Sequence, residues 1–296
     1  MSVEVLRFAG PAREVVGVLQ RPEGTVEGRP AFLLCKPFGQ EAVRTNQMFQ
    51  ALAQRLCREG CTVLRFDYHG TGDAPGDGAD QTLAGWTADT LAAWEQLEAY
   101  AGAAPVHLFG VGLGATLAAL AAVQRPHAAA RVVLWEPVLE GPAYLQALLE
   151  AHRREVAREL QTPWRRLRRE NRVPEPTLPG SVIGFDMGPT LTREIEALRP
   201  EVLRRVAVRQ QPLLIALRDD QRRGLAVGAL PDAELLSIEE TIDWMSGDAR
   251  GTAIVPRQIQ TVLLAGLTGA AEAEAAAITA TVAAAVAAAV TAAETP

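Results

Sequence analysis

Residues 107–115 read His107-Leu108-Phe109-Gly110-Val111-Gly112-Leu113-Gly114-Ala115, and this stretch decides the fold. An apolar run with the character of a strand passes through three alternating glycines directly into an Ala/Leu-rich helical pattern, Leu113 to Val123. That is the context of a nucleophile elbow, a sharp strand-to-helix turn that presents its central side chain above a sheet. Small residues are needed two positions either side of the centre so that strand and helix can approach, and Gly110 and Gly114 fill both. The centre is Gly112, which offers no attacking atom and can form no acyl-enzyme. Three glycines at such a turn also suit a phosphate, which backbone N–H groups and a helix N-terminus attract. The dinucleotide pattern G-x-G-x-x-G, however, would need glycine at Ala115.

Upstream of the turn, Val3 to Phe8 and Glu14 to Leu19 are short Val/Leu-rich runs around Gly10 and Pro11, which predicts a hairpin and an antiparallel start to the sheet. Ala31 to Cys35 reads as a strand and Lys36-Pro37-Phe38-Gly39 as a loop. A helix is expected from about Arg44 to Arg58, with Gly60 as its stop. Cys61 to Phe66 is the next strand and runs into the Gly/Asp-rich loop Asp67-Tyr68-His69-Gly70-Thr71-Gly72-Asp73, at the strand end where open α/β sheets place ligands. Helix follows from Leu83 to Tyr100.

Downstream, Arg131 to Trp135 is a strand. The rhythm then breaks into a long helical stretch, Gly141 to Glu170, that ends in Arg165, Arg166, Arg168 and Arg169 beside Trp164. Those arginines read as a solvated basic face or as a partner-binding face of a cap. A proline-rich linker leads to Ser181–Met187, and Pro212 to Leu217 and Glu234 to Ile238 are expected as the last two strands. The alternation predicts an α/β fold with a mostly parallel central sheet, flanking helices and a helical cap insertion. The expected division is a core of residues 1–140 and 181–268, a cap and linker over 141–180, and an Ala-rich helix over 269–296.

The chain has 296 residues, 48% of them hydrophobic, enough for one substantial core. Its net charge of −6 argues against nucleic acid as a partner. Cys35, Cys57 and Cys61 are an odd set with no second Cys or His pair to complete a zinc site, so neither metal nor cofactor is expected. Nothing near Met1 resembles a signal peptide, and the expected compartment is the cytoplasm. Ala275 to Ala293 holds 19 residues without a charge. Alanine is nearly neutral to transfer and no aromatic or basic anchors flank the run, so a water-facing helix is expected in place of a membrane span. Its seam of Ile278, Val282, Val286 and Val290 suits docking on the body or pairing of two copies into a homodimer.

The order of Lys36-Pro37-Phe38-Gly39, the 67–73 loop, the turn at Gly112 and Trp135-Glu136-Pro137-Val138 resembles the α/β-hydrolase superfamily over roughly residues 1 to 260. More narrowly, the chain resembles bacterial hydrolase-like proteins of the serine-aminopeptidase type, including those associated with exosortase and exopolysaccharide systems. Some of these resemble G-x-R-x-G at the elbow, and Gly112 stands at the position of that arginine too.

The resemblance implies a triad in the order nucleophile, acid, histidine, with the histidine after the last strand. Asp219 and Asp220 occupy the acid's place, but the four histidines are His69, His107, His127 and His152, none of them late enough. An acid alone cannot run the cycle. His69 is the candidate for a substitute base, or else a structural residue of its turn, and Asp67 and Asp73 read as turn-forming carboxylates. Cys35 reads as a core thiol. Lys36, Arg44 and Arg65 are candidates for lining an anion-binding cleft, or else are ordinary surface charges. The expected ligand-binding set is Lys36, Phe38, Gly39, Gly112 and Leu113.

Two functions stay open at this point. One is a non-catalytic pseudo-hydrolase that binds a small molecule or a protein partner. The other is a hydrolase or acyl-transfer enzyme acting on ester, thioester or amide bonds through a rearranged site, with His69 as base and Asp220 or Asp73 orienting it.

Overall fold

A computed structural model describes residues 1–10, 14–24, 29–208, 213–217, 233–238, 244, 255–265 and 267. The predicted hairpin forms from β1 (Ser2–Ala9) and β2 (Glu14–Arg21), antiparallel from Ser2↔Arg21 to Ala9↔Glu14. β3 (Ala31–Cys35) is buried at all five positions. Such a run is apolar on both faces, as a central parallel strand requires. β4 (Thr62–Asp67), β5 (Val106–Val111), β6 (Arg131–Trp135), β9 (Leu213–Leu217) and β10 (Ala233–Ser237) complete one eight-stranded sheet in the order β1-β2-β4-β3-β5-β6-β9-β10. Only the β1/β2 and β2/β4 pairings are antiparallel.

Alternate residues of the central strands feed two cores. Phe32, Leu34, Val63 and Phe109 pack under Met48, Phe49, Leu52 and Leu56 of α1 (Gly39–Arg58), together with Ile259 of a later helix. On the opposite face, Leu33, Cys35, Leu64 and Leu108 meet Trp86, Trp94 and Leu97 of α2 (Leu83–Ala101) and Leu117 and Ala118 of α3 (Leu113–Gln124). α1 begins at Gly39, five residues before the expected Arg44. Its cap residue Phe38 contributes no side-chain hydrogen bond, so the sequence carries no capping signal there, while Glu41 in the first turn favours the positive end of the helix dipole. The early start carries Glu41 toward the centre of the molecule.

The expected helix over Gly141–Glu170 is two helices, α4 (Gly141–Glu159) and α5 (Trp164–Arg169). Gln161 takes a positive φ of 47° and Pro163 cannot donate to the preceding turn, so the helix breaks there. Ser181–Met187 does not join the central sheet. β7 (Gly180–Val182) and β8 (Phe185–Met187) pair only with each other, around a turn in which Ile183 and Gly184 both have positive φ. His152 of α4 holds this hairpin by accepting the Ile183 N–H at 3.0 Å on Nδ1. α6 (Pro189–Glu196), α7 (Glu201–Val208) and α8 (Arg257–Leu264) follow. Among the described residues no helix is long and apolar enough to cross a membrane. The Ala-rich segment 269–296 and its proposed pairing seam lie outside the described residues.

A long-range contact ties α6 to α2. Glu194 of α6 accepts the N–H groups of Leu83 and Ala84 at 2.6 and 3.3 Å, while Thr82 accepts that of Gly85 at 2.9 Å. The first N–H groups of α2 would otherwise lack acceptors. Glu194→Ala is expected to cost about 1 kcal/mol in urea unfolding, with Glu194→Gln recovering part of it. Equal stability of Glu194→Ala and wild type would show that this contact contributes nothing to the fold.

Candidate functional site

The turn between β5 and α3 has the elbow conformation. Gly112 stands at φ 56°, ψ −126°, immediately before the helix. Its N–H bonds Trp135 O at 2.9 Å, and Thr116 Oγ1 donates to Val138 O at 2.8 Å, so the turn is fastened to the end of β6. The three glycines differ in what surrounds them. A Cβ on Gly110 would stand 2.6 Å from the Ala115 backbone, and one on Gly114 would collide with the carbonyl oxygens of Lys36 and Cys35. A Cβ on Gly112 would meet Pro37 Cβ at 3.4 Å and Glu41 Oε2 and Oε1 at 3.6 and 3.9 Å, all ordinary contacts. The close approach of strand and helix therefore requires glycine on both flanks, whereas the centre has room for a side chain and lacks one.

Glu41, which the sequence reading missed, fills that place. Its carboxylate accepts the Tyr144 hydroxyl of α4 at 3.4 Å. Burial pushes the Tyr144 phenol well above its ordinary range, with the Glu41 charge adding to the rise, so Tyr144 stays protonated and donates. The first N–H groups of α3, beginning at Leu113, have no intrahelical acceptor and would hold an oxyanion in a working elbow. A carboxylate beside Gly112 opposes that chemistry, because negative charge repels the negative charge of a tetrahedral intermediate. Only the position of Glu41, in the first turn after the 36–39 loop, could have signalled its role.

None of the four histidines reaches the elbow. His69 is a correction to its expected candidacy as base. Its N–H bonds Asp89 at 2.9 Å, its carbonyl accepts the Trp86 indole N–H at 3.0 Å, and its ring lies so close to Gly76 that a Cβ there would overlap it. The ring is not among the groups lining the adjacent cavity. His107 sits within β5 with its ring edge-on to Phe32, 5.0 Å between centroids, and burial holds its pKa down at about 4. His127 lies after α3 at a φ of 61°, and His152 is engaged with the hairpin. Asp219 and Asp220, the candidate acids, lie outside the described residues. Glu136, at the end of β6 next to the elbow, has a φ of 47°, and its N–H bonds Ala216 O at 2.8 Å.

Cys35 is fully buried, and burial drives its thiol far above the range in which a thiolate forms near neutrality. Arg44 is also a correction. It faces away from the elbow, donating to Trp244 O at 2.9 Å and lying 4.0 Å from Glu155. Lys36 forms a largely buried ion pair with Asp67, whose other oxygen accepts the Asp73 N–H at 3.1 Å. Arg65, further back on β4, has its pKa lowered by burial.

Four of the five expected binding residues, Lys36, Phe38, Gly39 and Leu113, line a cavity of about 420 Å³ at the carboxyl ends of β3, β4 and β5. Leu117 of α3 also lines it, with Trp86 of α2 and Phe185 of β8 among its aromatic walls. Phe38 packs on Trp86 at 5.4 Å and on Phe185 at 6.0 Å between ring centroids. The fifth residue, Gly112, is not itself a lining group, although its neighbours Pro37 and Leu113 are.

Residues 42–184 match the family described as serine aminopeptidase, S33. Among solved structures, proline iminopeptidase from Mycobacterium smegmatis superposes with a TM-score of 0.55 at 14% identity, over 92% of this chain and all of that one. Est1E from Butyrivibrio proteoclasticus does so with 0.57 at 14% identity, over 88% and 97%. The chain has the α/β-hydrolase fold. This α/β-hydrolase-fold protein is also 42% identical over 103 residues to an uncharacterised protein of Mycobacterium tuberculosis, and it spans about a third (34%) of that relative's length. At such identities the solved structures speak for the fold of this chain and not for its chemistry.

Proposed function

We propose that this α/β-hydrolase-fold protein is a non-catalytic pseudo-hydrolase of the cytoplasm that binds a small molecule, or a partner's side chain, in the cavity beside the elbow, with residues 141–180 as its cap. The observation that carries this reading is the emptied nucleophile position with a carboxylate in its place: Gly112 keeps the elbow conformation, and Glu41 stands 3.6 Å from where its Cβ would be. Without nucleophile or histidine, the remaining N–H groups and apolar walls can hold a ligand but have nothing to attack it with.

The test is turnover of a p-nitrophenyl ester and thioester panel by the wild type and by Gly112→Ser, Glu41→Gln and His69→Ala. No variant is expected to exceed the buffer rate, Gly112→Ser included, since a serine with no base is a weak nucleophile. Wild-type turnover lost in Glu41→Gln would overturn the proposal. That result would favour the second reading, an ester, thioester or amide hydrolase or acyl-transfer enzyme in which Glu41 draws a proton from water lodged over Gly112. Its specific support is the same 3.6 Å approach.

A further inference from the structure

A second cavity, of about 650 Å³, lies at the opposite end of the sheet from the elbow. It opens where Ala31 begins β3, Thr62 begins β4 and Pro105 leads into β5, and Tyr100 near the end of α2 forms part of its wall. The chain as a whole carries a net charge of −6, yet the described residues that line this cavity include Arg21 and Arg29 and no Asp or Glu. The rest of the lining is mostly small or apolar, with Pro22, Pro30, Ala104 and Pro105 among it.

The two arginines differ in what already binds them. Arg21 is exposed, pairs with Glu4 at 3.5 Å and lies over the Tyr100 ring, 5.7 Å from its centroid. So exposed an ion pair holds little energy, and the ring contact gives the guanidinium its direction. Arg29 is half-buried. Among the described residues its side chain donates only to Leu267 O and has no carboxylate partner. It points inward, near enough to the fully buried Cys61 for its charge to act against the burial that pushes that thiol up to about 12. The carboxyl ends of α1 and α2 reach the cavity near Gly60 and Ala101, and their carbonyl dipoles account for cations at this end of the sheet. They do not account for a guanidinium partly withdrawn from water with most of its five N–H donors lacking a protein acceptor, an arrangement that is costly until an acceptor arrives.

We infer that this cavity is a second ligand site, selective for an organic anion: a carboxylate held by Arg29, with Arg21 at the rim, on a small apolar body lying against Pro30, Ala104 and Pro105. The planar guanidinium offers a carboxylate two parallel N–H donors, and the pairing is strengthened by charge on both sides. The volume lies within the usual range of small-molecule sites. The site is at the other end of β5 from Gly112, so the inference stands apart from what the cavity beside the elbow binds.

The test is calorimetric titration of the full chain with two probes of one shape, 4-phenylbutyrate and 4-phenylbutanol, at low and at physiological salt. The carboxylate is expected to bind about tenfold more tightly than the alcohol and to weaken with salt. Arg29→Gln is expected to lose about tenfold for the carboxylate and nothing for the alcohol, with Arg29→Lys recovering part of the loss. Ala103 lines the cavity from an exposed position, so Ala103→Trp is expected to abolish carboxylate binding and leave thermal unfolding unchanged. That variant decides alone if Arg29→Gln, deprived of its contact with Leu267, fails to fold. No binding of the carboxylate, binding no tighter than that of the alcohol, or carboxylate binding unaffected in Arg29→Gln or in Ala103→Trp would overturn the inference. Ester turnover bears on the non-catalytic reading instead and leaves this site untouched.

Discussion

Gly114→Ala is expected to destabilise the protein by about 3 kcal/mol or more, whereas Gly112→Ala, two residues away, should cost only about 1–2 kcal/mol. Both replace glycine at the N-terminus of α3, and intrinsic helix propensity alone would make alanine at 114 better by about 1 kcal/mol. The structure reverses that preference. A methyl on Gly114 would be driven into the carbonyl oxygens of Lys36 and Cys35 at the end of β3, and these are backbone atoms that cannot rotate away. Either β3 or α3 must move, and both are packed into the core on which the sheet depends. At Gly112 the methyl meets only ordinary contacts, and the cost is that of holding a non-glycine residue at a φ of 56°. Equilibrium urea unfolding of the two variants measures the contrast. Similar costs at the two positions would mean that the elbow is not the tight turn described here.

That contrast bears directly on function. If the centre of the elbow is the forgiving position, then Gly112 is not demanded by packing, and the absence of a side chain there bears on chemistry and not on the turn. The flanking glycines are kept because the backbone has no room for anything else. The carboxylate of Glu41, supported by Tyr144, then occupies space that a serine or a longer side chain would contest.

The elbow could be read from the chain because its requirements are local: alternating glycines between a strand run and a helix run, with spacing that only one turn satisfies. The hairpin, the parallel strands and α2 were legible for the same reason, since each carries its own periodicity and its own stop. The start of α1 was not, because Phe38 provides no capping hydrogen bond and the helix is set by what it packs against. That displacement of five residues concealed Glu41. The hairpin of β7 and β8 was also hidden, since three-residue strands have too little pattern to show. With it went Phe185 and Asp186, which reach the cavity beside the elbow from 68 or more residues beyond Leu117, the last lining residue before the hairpin. Such convergence depends on tertiary packing and leaves no mark on spacing. Arg44 was misread, and the two readings of His69 could not be told apart, for the converse reason: the right residue type near the right loop says nothing about the direction of the side chain.

The second large effect is expected in acid. His107 lies in β5, five residues before Gly112, paired in register with Phe32 and Arg131. Burial, and secondarily the nearby charge of Arg131, holds its pKa down from 6.5 to about 4. An unfolded chain therefore takes up a proton at this histidine below about pH 6.5 that the folded chain refuses until about pH 4, and stability must fall as pH falls through that window. Above pH 6.5 the contribution is fully present, and below about pH 4 the slope ends. The loss across the window is up to about 3 kcal/mol. His107→Gln should unfold with a markedly flatter dependence on pH between 6.5 and 4 than the wild type. His152 is shifted in the same direction, again chiefly by burial, so His152→Gln is the control that separates its share. Carboxylates whose pKa values are lowered, such as Glu23 and Glu175, weaken the fold only at lower pH and do so equally in the variant. Parallel slopes for wild type and His107→Gln would mean that the ring is hydrated in the folded state. If the slopes diverge as expected, a loss of ligand binding between pH 6.5 and 4 reports the opening of β5 beneath the elbow, and a bell-shaped profile in that range is no sign of a catalytic histidine.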